Sequence, residues 1–169
     1  MVKNDISCEV ISDSSPIIHL DEMQCLDLLS DFKRILIVPT VSDEIIKYRP
    51  QLLKNIPQYF CNVDPNPYTL DFLTVCNIFS LDSGEMQALN IMAEYPHSIF
   101  LTDDASARLV ADKMGYKVHG TLGVIIRAIR RNQKSKQEVL NLLKSIPHMS
   151  SLYIKQSLLN KVIKLVENS

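Results

Sequence analysis

SIFLTDDASARLVADKMGYKV, residues 98–118, holds a strand, a helix and a second strand in one short stretch. Ser98–Leu101 reads as a brief apolar strand, and Thr102-Asp103-Asp104 supplies the polar turn that ends it. Residues 104–114 follow with helical spacing, and Gly115 stands where a helix C′ residue belongs, just before a strand at Tyr116–Val118. Two strands joined through a helix pair in parallel, so this stretch predicts a parallel sheet rather than a meander.

Upstream the same alternation repeats. Strands are expected at Glu9–Ser12, Arg34–Val38 and Tyr59–Val63, with helices over 16–31, 40–48, 67–78 and 83–94. Beyond residue 119 the pattern is helical only, over 121–131, 135–145 and 151–167, with breaks at Asn132-Gln133 and at Pro147. These periods predict an α/β fold in which a central, mainly parallel five-stranded sheet lies between helix layers. A single domain over 1–169 is expected, with a core at about 8–131 and a helical C-terminal extension over 132–169. The proline-interrupted segment 49–67 reads as a connection around one short strand.

The bulk composition is that of a folded globular chain: 46% hydrophobic and 22% charged residues. The formal net charge of −1 gives no field to attract nucleic acid, so such a partner would need a local basic patch. Cys8, Cys25, Cys61 and Cys76 are scattered without zinc-ligand spacing, which suits reduced thiols in the cytoplasm. MVKNDISCEV has no apolar core of a signal peptide, and no apolar run approaches the roughly 20 residues of a membrane span.

The acids carry the chemistry. In an open parallel sheet, ligands bind beyond the carboxyl ends of the strands. Asp13 follows the first strand and Asp103-Asp104 the fourth, so both reach one edge. Helix capping is the plain alternative, and one of Asp103 and Asp104 suffices for it. Ser15-Pro16 offers its own cap with proline at N1, which leaves Asp13 without that duty. Glu44 lies on the stripe of Val41, Ile45 and Tyr48, and Glu85 on that of Ala88, Leu89 and Met92. Asp82-Ser83-Gly84-Glu85 also fits a capping box. Clustered carboxylates without a base repel one another unless a divalent cation holds them, and oxygen ligands favour Mg²⁺ or Mn²⁺. Such a site suits metal-dependent hydrolysis of a phosphodiester.

The stretches ISDSSPIIHL (11–20), LDLLSDFKRILIVPTVSDEI (26–45), LDSGEMQAL (81–89), IFLTDDASARLVADKMGYKVHGTLGVIIRAIRR (99–131) and LYIKQSLLNKVIKLVEN (152–168) resemble the PIN domain superfamily. The similarity is strongest to its branch of small prokaryotic nucleic-acid-binding proteins, through the G-E-x-x-A-L and G-T-L-G motifs. It implies a flavodoxin-like three-layer fold, an acidic pocket for Mg²⁺ or Mn²⁺, and ribonuclease activity. It also implies a toxin of a type II toxin–antitoxin pair, held by a small antitoxin protein and often a homodimer. Position by position, Asp13, Glu44 and Glu85 match the first three acids, with Glu where most of the superfamily has Asp. The fourth falls on Asp103 or Asp104. Ser14, Ser15 and Thr102 match the polar residues beside these acids.

Arg127, Arg130, Arg131, Lys134 and Lys136 form the one dense basic run, either a solvated helix end or a rim for RNA phosphates. His119-Gly120-Thr121-Leu122-Gly123 reads as a tight turn with Thr121 as helix cap, or as a substrate contact at the acidic edge. Spread tyrosines offer no evident stacking platform. The final helix carries Leu152, Leu159, Val162, Ile163 and Val166 on one side, to pack on the domain or to meet a partner. Two other readings stand beside a ribonuclease. One is a catalytically inactive PIN-like module that binds nucleic acid or protein. The other is a phosphate-accepting receiver, which would need an adjacent acidic pair after the first strand.

Overall fold

The computed structural model describes residues 8–52, 54 and 56–169. Residues 1–7, on which the signal-peptide reading fell, lie outside them. Among the described residues the strands are β1 (Glu9–Ser12), β2 (Arg34–Ile37), β3 (Phe60–Asn62), β4 (Ile99–Leu101) and β5 (Lys117–His119). They form one all-parallel sheet in the order β3-β2-β1-β4-β5. β1 is central, and Val10 and Ile11 are fully buried because helices cover both faces.

The helices are α1 (Ser14–Glu22), α2 (Pro39–Tyr48), α3 (Leu70–Ile78), α4 (Ser83–Ile91), α5 (Ala105–Lys113), α6 (Thr121–Arg130), α7 (Lys136–Met149) and α8 (Gln156–Glu167). The sheet-and-helix alternation matches the sequence expectation; the differences are local. The helix expected over 16–31 is two elements, α1 and a 3-10 helix at Leu26–Asp31. An unbroken helix of that length would span about 24 Å and overshoot the short strands. Gln24, at φ 55°, turns the chain through the left-handed region instead. α7 runs to Met149 rather than stopping at 145: Pro147 removes one i→i−4 bond near its end, and the Ser150 N–H still closes the last turn by donating to the Ile146 carbonyl at 3.1 Å.

The helix expected over 151–167 begins only at Gln156. The extended stretch before it is tied down by Glu22, whose carboxylate accepts from the Ser151 N–H at 2.7 Å and from the Ser150 and Ser151 hydroxyls at 3.0 Å. Those bonds outweigh burial and hold the Glu22 carboxyl below its usual range. Leu159 and Val166 are buried in the same hydrophobic cluster as the sheet, with Leu152, Val162 and Ile163 packed against it. The apolar side of α8 therefore packs on its own chain. Among the described residues no helix is long and apolar enough to cross a membrane.

The strand order places a topological switch between β1 and β4, where connections leave in opposite directions. Ser12 pairs with Leu101 at the carboxyl ends of these strands. The Asp13 N–H continues the ladder by donating to the Leu101 carbonyl at 2.9 Å.

Candidate active site

Asp13 is fixed by that backbone bond and is 3% exposed. It is also the N-cap residue of α1, which begins at Ser14 rather than after Ser15. Its side chain bonds no helix N–H in the capping manner; its Oδ2 accepts from the Ser15 hydroxyl at 2.8 Å and from the Thr102 hydroxyl at 3.4 Å. Ser15 thus orients the acid instead of capping the helix. Thr102, fully buried, also accepts the Asp104 N–H at 3.1 Å, so one hydroxyl spans the ends of β1 and β4. Ser14 is buried beside Asp13, and its backbone bond favours the ionised carboxylate.

Glu85 comes from α4, with both halves of the capping box formed. The Asp82 Oδ1 accepts from the Glu85 N–H, and the Glu85 Oε2 accepts from the Asp82 N–H, each at 2.9 Å. The cap and the acidic cluster are not rivals here: the box holds Glu85 in place, buried, while its charge faces other acids. Glu44, half-buried on α2, reaches the same helix start. A Cβ added at Gly84 would lie 3.3 Å from Glu44 Oε1 and 3.4 Å from Asp82 Oδ1, so the two carboxylates close on this helix start from either side. Tyr48, expected on the inward stripe of α2, is instead 60% exposed.

The Asp103/Asp104 pair divides its labour. Asp104 caps α5, its Oδ1 accepting from the Ala107 N–H at 2.8 Å, and remains exposed toward the acids. The Asp103 carboxylate turns away. Its Oδ2 meets His19 Nδ1 at 2.8 Å and the Thr121 hydroxyl at 2.5 Å, and its Oδ1 takes the Thr121 N–H at 2.8 Å. Burial opposes its charge, but these bonds outweigh burial and hold the carboxyl below the usual range. The cap of α6 is Gly120, not Thr121, and a Cβ there would fall 2.6 Å from Asp103 Oδ1.

Electrostatics separate the floor of the site from its rim. Burial pushes Asp13 up to about 6, against its serine hydrogen bonds, and the charges of Asp82 and Glu44 raise it further. Burial pushes Glu85 up to about 8, with Asp82, Asp104 and Asp13 adding to the rise. The acids at the switch point thus feel one another: Asp13 and Glu85 buried, Glu44, Asp82 and Asp104 around them. Among the described residues no three His, Cys, Asp or Glu side chains stand close enough to enclose an ion as they are. The donor set nonetheless fits a hard divalent cation: it is all carboxylate oxygen, and in Asp13 and Glu85 the ionised form is disfavoured until a positive charge joins it.

The basic run lies elsewhere. Arg127 pairs with Asp31 and stacks over Phe32 at 4.2 Å from the ring centroid. Arg131 pairs with Asp31 at 2.8 Å and Lys134 with Asp27 at 3.5 Å, so these three cations clamp α6 and the following turn to the 3-10 helix. Arg130 faces solvent with no acidic partner among the described residues. Asp82 went unnoticed as a site residue because its capping role already explained it; its place three residues before an inward Glu was the available signal. Arg108, whose guanidinium donates to the Thr102 carbonyl at 3.3 Å, was missed too. It lies one turn into the helix that Asp104 caps.

The sequence profile of a family described as a PIN domain matches residues 9–168. No curated protein matches the chain closely. The profile spans every strand and helix among the described residues and every acid of the cluster, and the chain belongs to the PIN domain family.

Proposed function

We propose that this chain is a metal-dependent endoribonuclease acting as the toxin of a type II toxin–antitoxin pair. The PIN family points to a nuclease and so to a nucleic-acid substrate. The observation that carries the reading is the pair of buried acids, Asp13 and Glu85, raised to about 6 and about 8 among further carboxylates at the switch point of a parallel sheet. Asp13, Glu44, Glu85 and Asp104 would hold Mg²⁺ or Mn²⁺. When bound, such an ion supplies a water acidified toward neutral pH and positive charge against the phosphodiester oxygens. The chain's own part is positional. Ser15 and Thr102 orient Asp13, the capping box fixes Glu85, and Asp103 ties the β5–α6 turn and α1 to the end of β4. Arg130 and Arg108 would meet RNA phosphates, while Arg127, Arg131 and Lys134 hold the fold.

Cys8, Cys25, Cys61 and Cys76 form no disulfide with one another, which suits a reducing cytoplasm. A small antitoxin would block the acidic edge, and a homodimer would be the active assembly. Expression in a bacterial host tests the toxin role. Wild-type chain should arrest growth with degradation of cellular RNA, Asp13→Asn should not, and a protein encoded beside it should relieve the arrest. Growth unaffected by soluble wild-type chain would contradict it.

A further inference from the structure

Beside the acids, on the far side of Asp103, lies a groove of about 470 Å³ whose walls include Arg108, His119, Gly120, Tyr153 and Lys155. That volume is in the range of sites that hold small ligands. Three features set it apart from an ordinary surface dent. First, Tyr153 is 86% exposed and directly follows an anchored stretch. The stretch 150–152 is anchored through Glu22, and the Leu152 N–H donates to the Ser150 hydroxyl at 3.2 Å. An aromatic ring is thus presented to water beside a tied-down stretch of chain.

Second, the rim is cationic. Arg108 and Lys155 are exposed and have no carboxylate partner among the described residues. Burial and the positive field of Arg108, Arg127, Arg130 and Lys117 hold His119 below its usual range. Third, the one acid in the wall, Asp103, is already taken up by three hydrogen bonds, from His19 and Thr121. The N–H of Thr121 at the helix start is spent on it, so phosphate would be met by side-chain cations.

We propose that this groove binds a single-stranded segment of the RNA next to the cleavage site, with an unstacked base on Tyr153 and backbone phosphates on Lys155 and Arg108. An exposed aromatic can stack only on a base that has left its helix, which selects single strands over duplexes. The positive rim matches a polyanion, and Leu122, Leu152, Ile154 and Leu158 in the lining offer apolar faces to an unstacked base. The groove begins at the residue beside Asp104, so a strand lying in it leads toward the acids. The assignment rests on the ribonuclease reading only for its link to cleavage.

Fluorescence anisotropy with a labelled short single-stranded RNA, in EDTA at low salt, tests it. Wild type should bind the single strand more tightly than the same sequence as a duplex. Tyr153→Ala should weaken binding roughly tenfold, as expected for one lost base stack. Tyr153→Phe should bind as wild type, since the ring and not the hydroxyl does the stacking. Lys155→Gln should flatten the dependence of log affinity on log salt by about 0.7, the share of one phosphate on a single strand. Tyr153 and Lys155 are exposed, so these variants keep the fold. RNA affinity unchanged in both Tyr153→Ala and Lys155→Gln would overturn the proposal, as would no RNA binding by wild type. A concentration-dependent self-association lost in Tyr153→Ala, with RNA affinity intact, would assign the groove to a second copy of the chain and overturn it equally. Parallel cleavage assays with Mn²⁺ keep the two readings apart. Tyr153-dependent binding without any cleavage removes the ribonuclease and leaves the groove, while cleavage and binding indifferent to both variants do the reverse.

Discussion

Glu85→Gln should stabilise the metal-free protein at neutral pH while abolishing its response to metal. Glu85 is 7% exposed, and burial with its acidic neighbours raises its carboxyl from 4.5 to about 8. Between those values the folded chain keeps the proton and the unfolded chain loses it. The unfolded state therefore binds fewer protons, and stability falls as pH rises through this window. At about 1.36 kcal/mol per pH unit, the span from 4.5 to pH 7 gives a loss of at most about 3.4 kcal/mol, and sharing of the repulsion with Asp13 brings it to about 2 kcal/mol. Glutamine carries no charge in either state, and its side-chain carbonyl can still accept the Asp82 N–H, so the capping box survives. Thermal unfolding in EDTA should show matching midpoints near pH 4.5 and a variant higher by about 4–8 °C at pH 7. With Mn²⁺ at about 100 times its dissociation constant, wild type should gain about 2.7 kcal/mol and the variant almost nothing. A variant equally destabilised at both pH values, with wild type indifferent to metal, would mean that Glu85 is a cap and no more.

The two neighbouring acids should part company on mutation. Asp104→Asn keeps a good N-cap and so its stability, but should lose RNA cleavage. Asp103→Asn should cost about 1–3 kcal/mol by denaturant unfolding, through weakened bonds to His19 and Thr121, and cut cleavage by no more than about tenfold. Gly120→Ala forces a Cβ to within 2.6 Å of Asp103 Oδ1 and should cost about 1–3 kcal/mol in the same assay. Asp31→Ala leaves Arg127 and Arg131 unpaired at 14% and 15% exposure; a loss of about 2–3 kcal/mol with cleavage per folded molecule unchanged is expected.

The layered fold was legible because the local signals agree. Short β-branched strands alternate with helical periods, and Gly115, at φ 83°, ends α5 where a helix must give way to β5. The break inside 16–31 was not legible, since Gln24 carries no turn chemistry and is driven left-handed by the need to fold back toward β2. Among Asp13, Ser14 and Ser15 any could cap a helix; the choice fell to Asp13 because its N–H is drawn into the sheet by Leu101, a partner 88 residues away. Asp13 and Asp103-Asp104 follow β1 and β4, and Glu44 and Glu85 lie on α2 and α4, positions that strand and helix periods alone make readable. Their hydrogen-bond partners are not readable in that way, nor is the capture of Arg127 and Arg131 by Asp31, 96 and 100 residues distant in sequence. Local pattern sets which edge a residue reaches. Which neighbour it meets there is a matter of tertiary packing.

Whether the acids at the switch point hold a divalent ion for phosphodiester hydrolysis is read most directly from cleavage of a labelled single-stranded RNA by purified wild type and Asp13→Asn, each titrated with Mn²⁺ and Mg²⁺ after EDTA treatment, with folding of both checked by circular dichroism. Wild type should cleave internally only when metal is restored, and folded Asp13→Asn should stay inactive across the titration. Equal activity in the two proteins, or cleavage by wild type that persists in excess EDTA, would rule out a metal held by Asp13 as the source of hydrolysis.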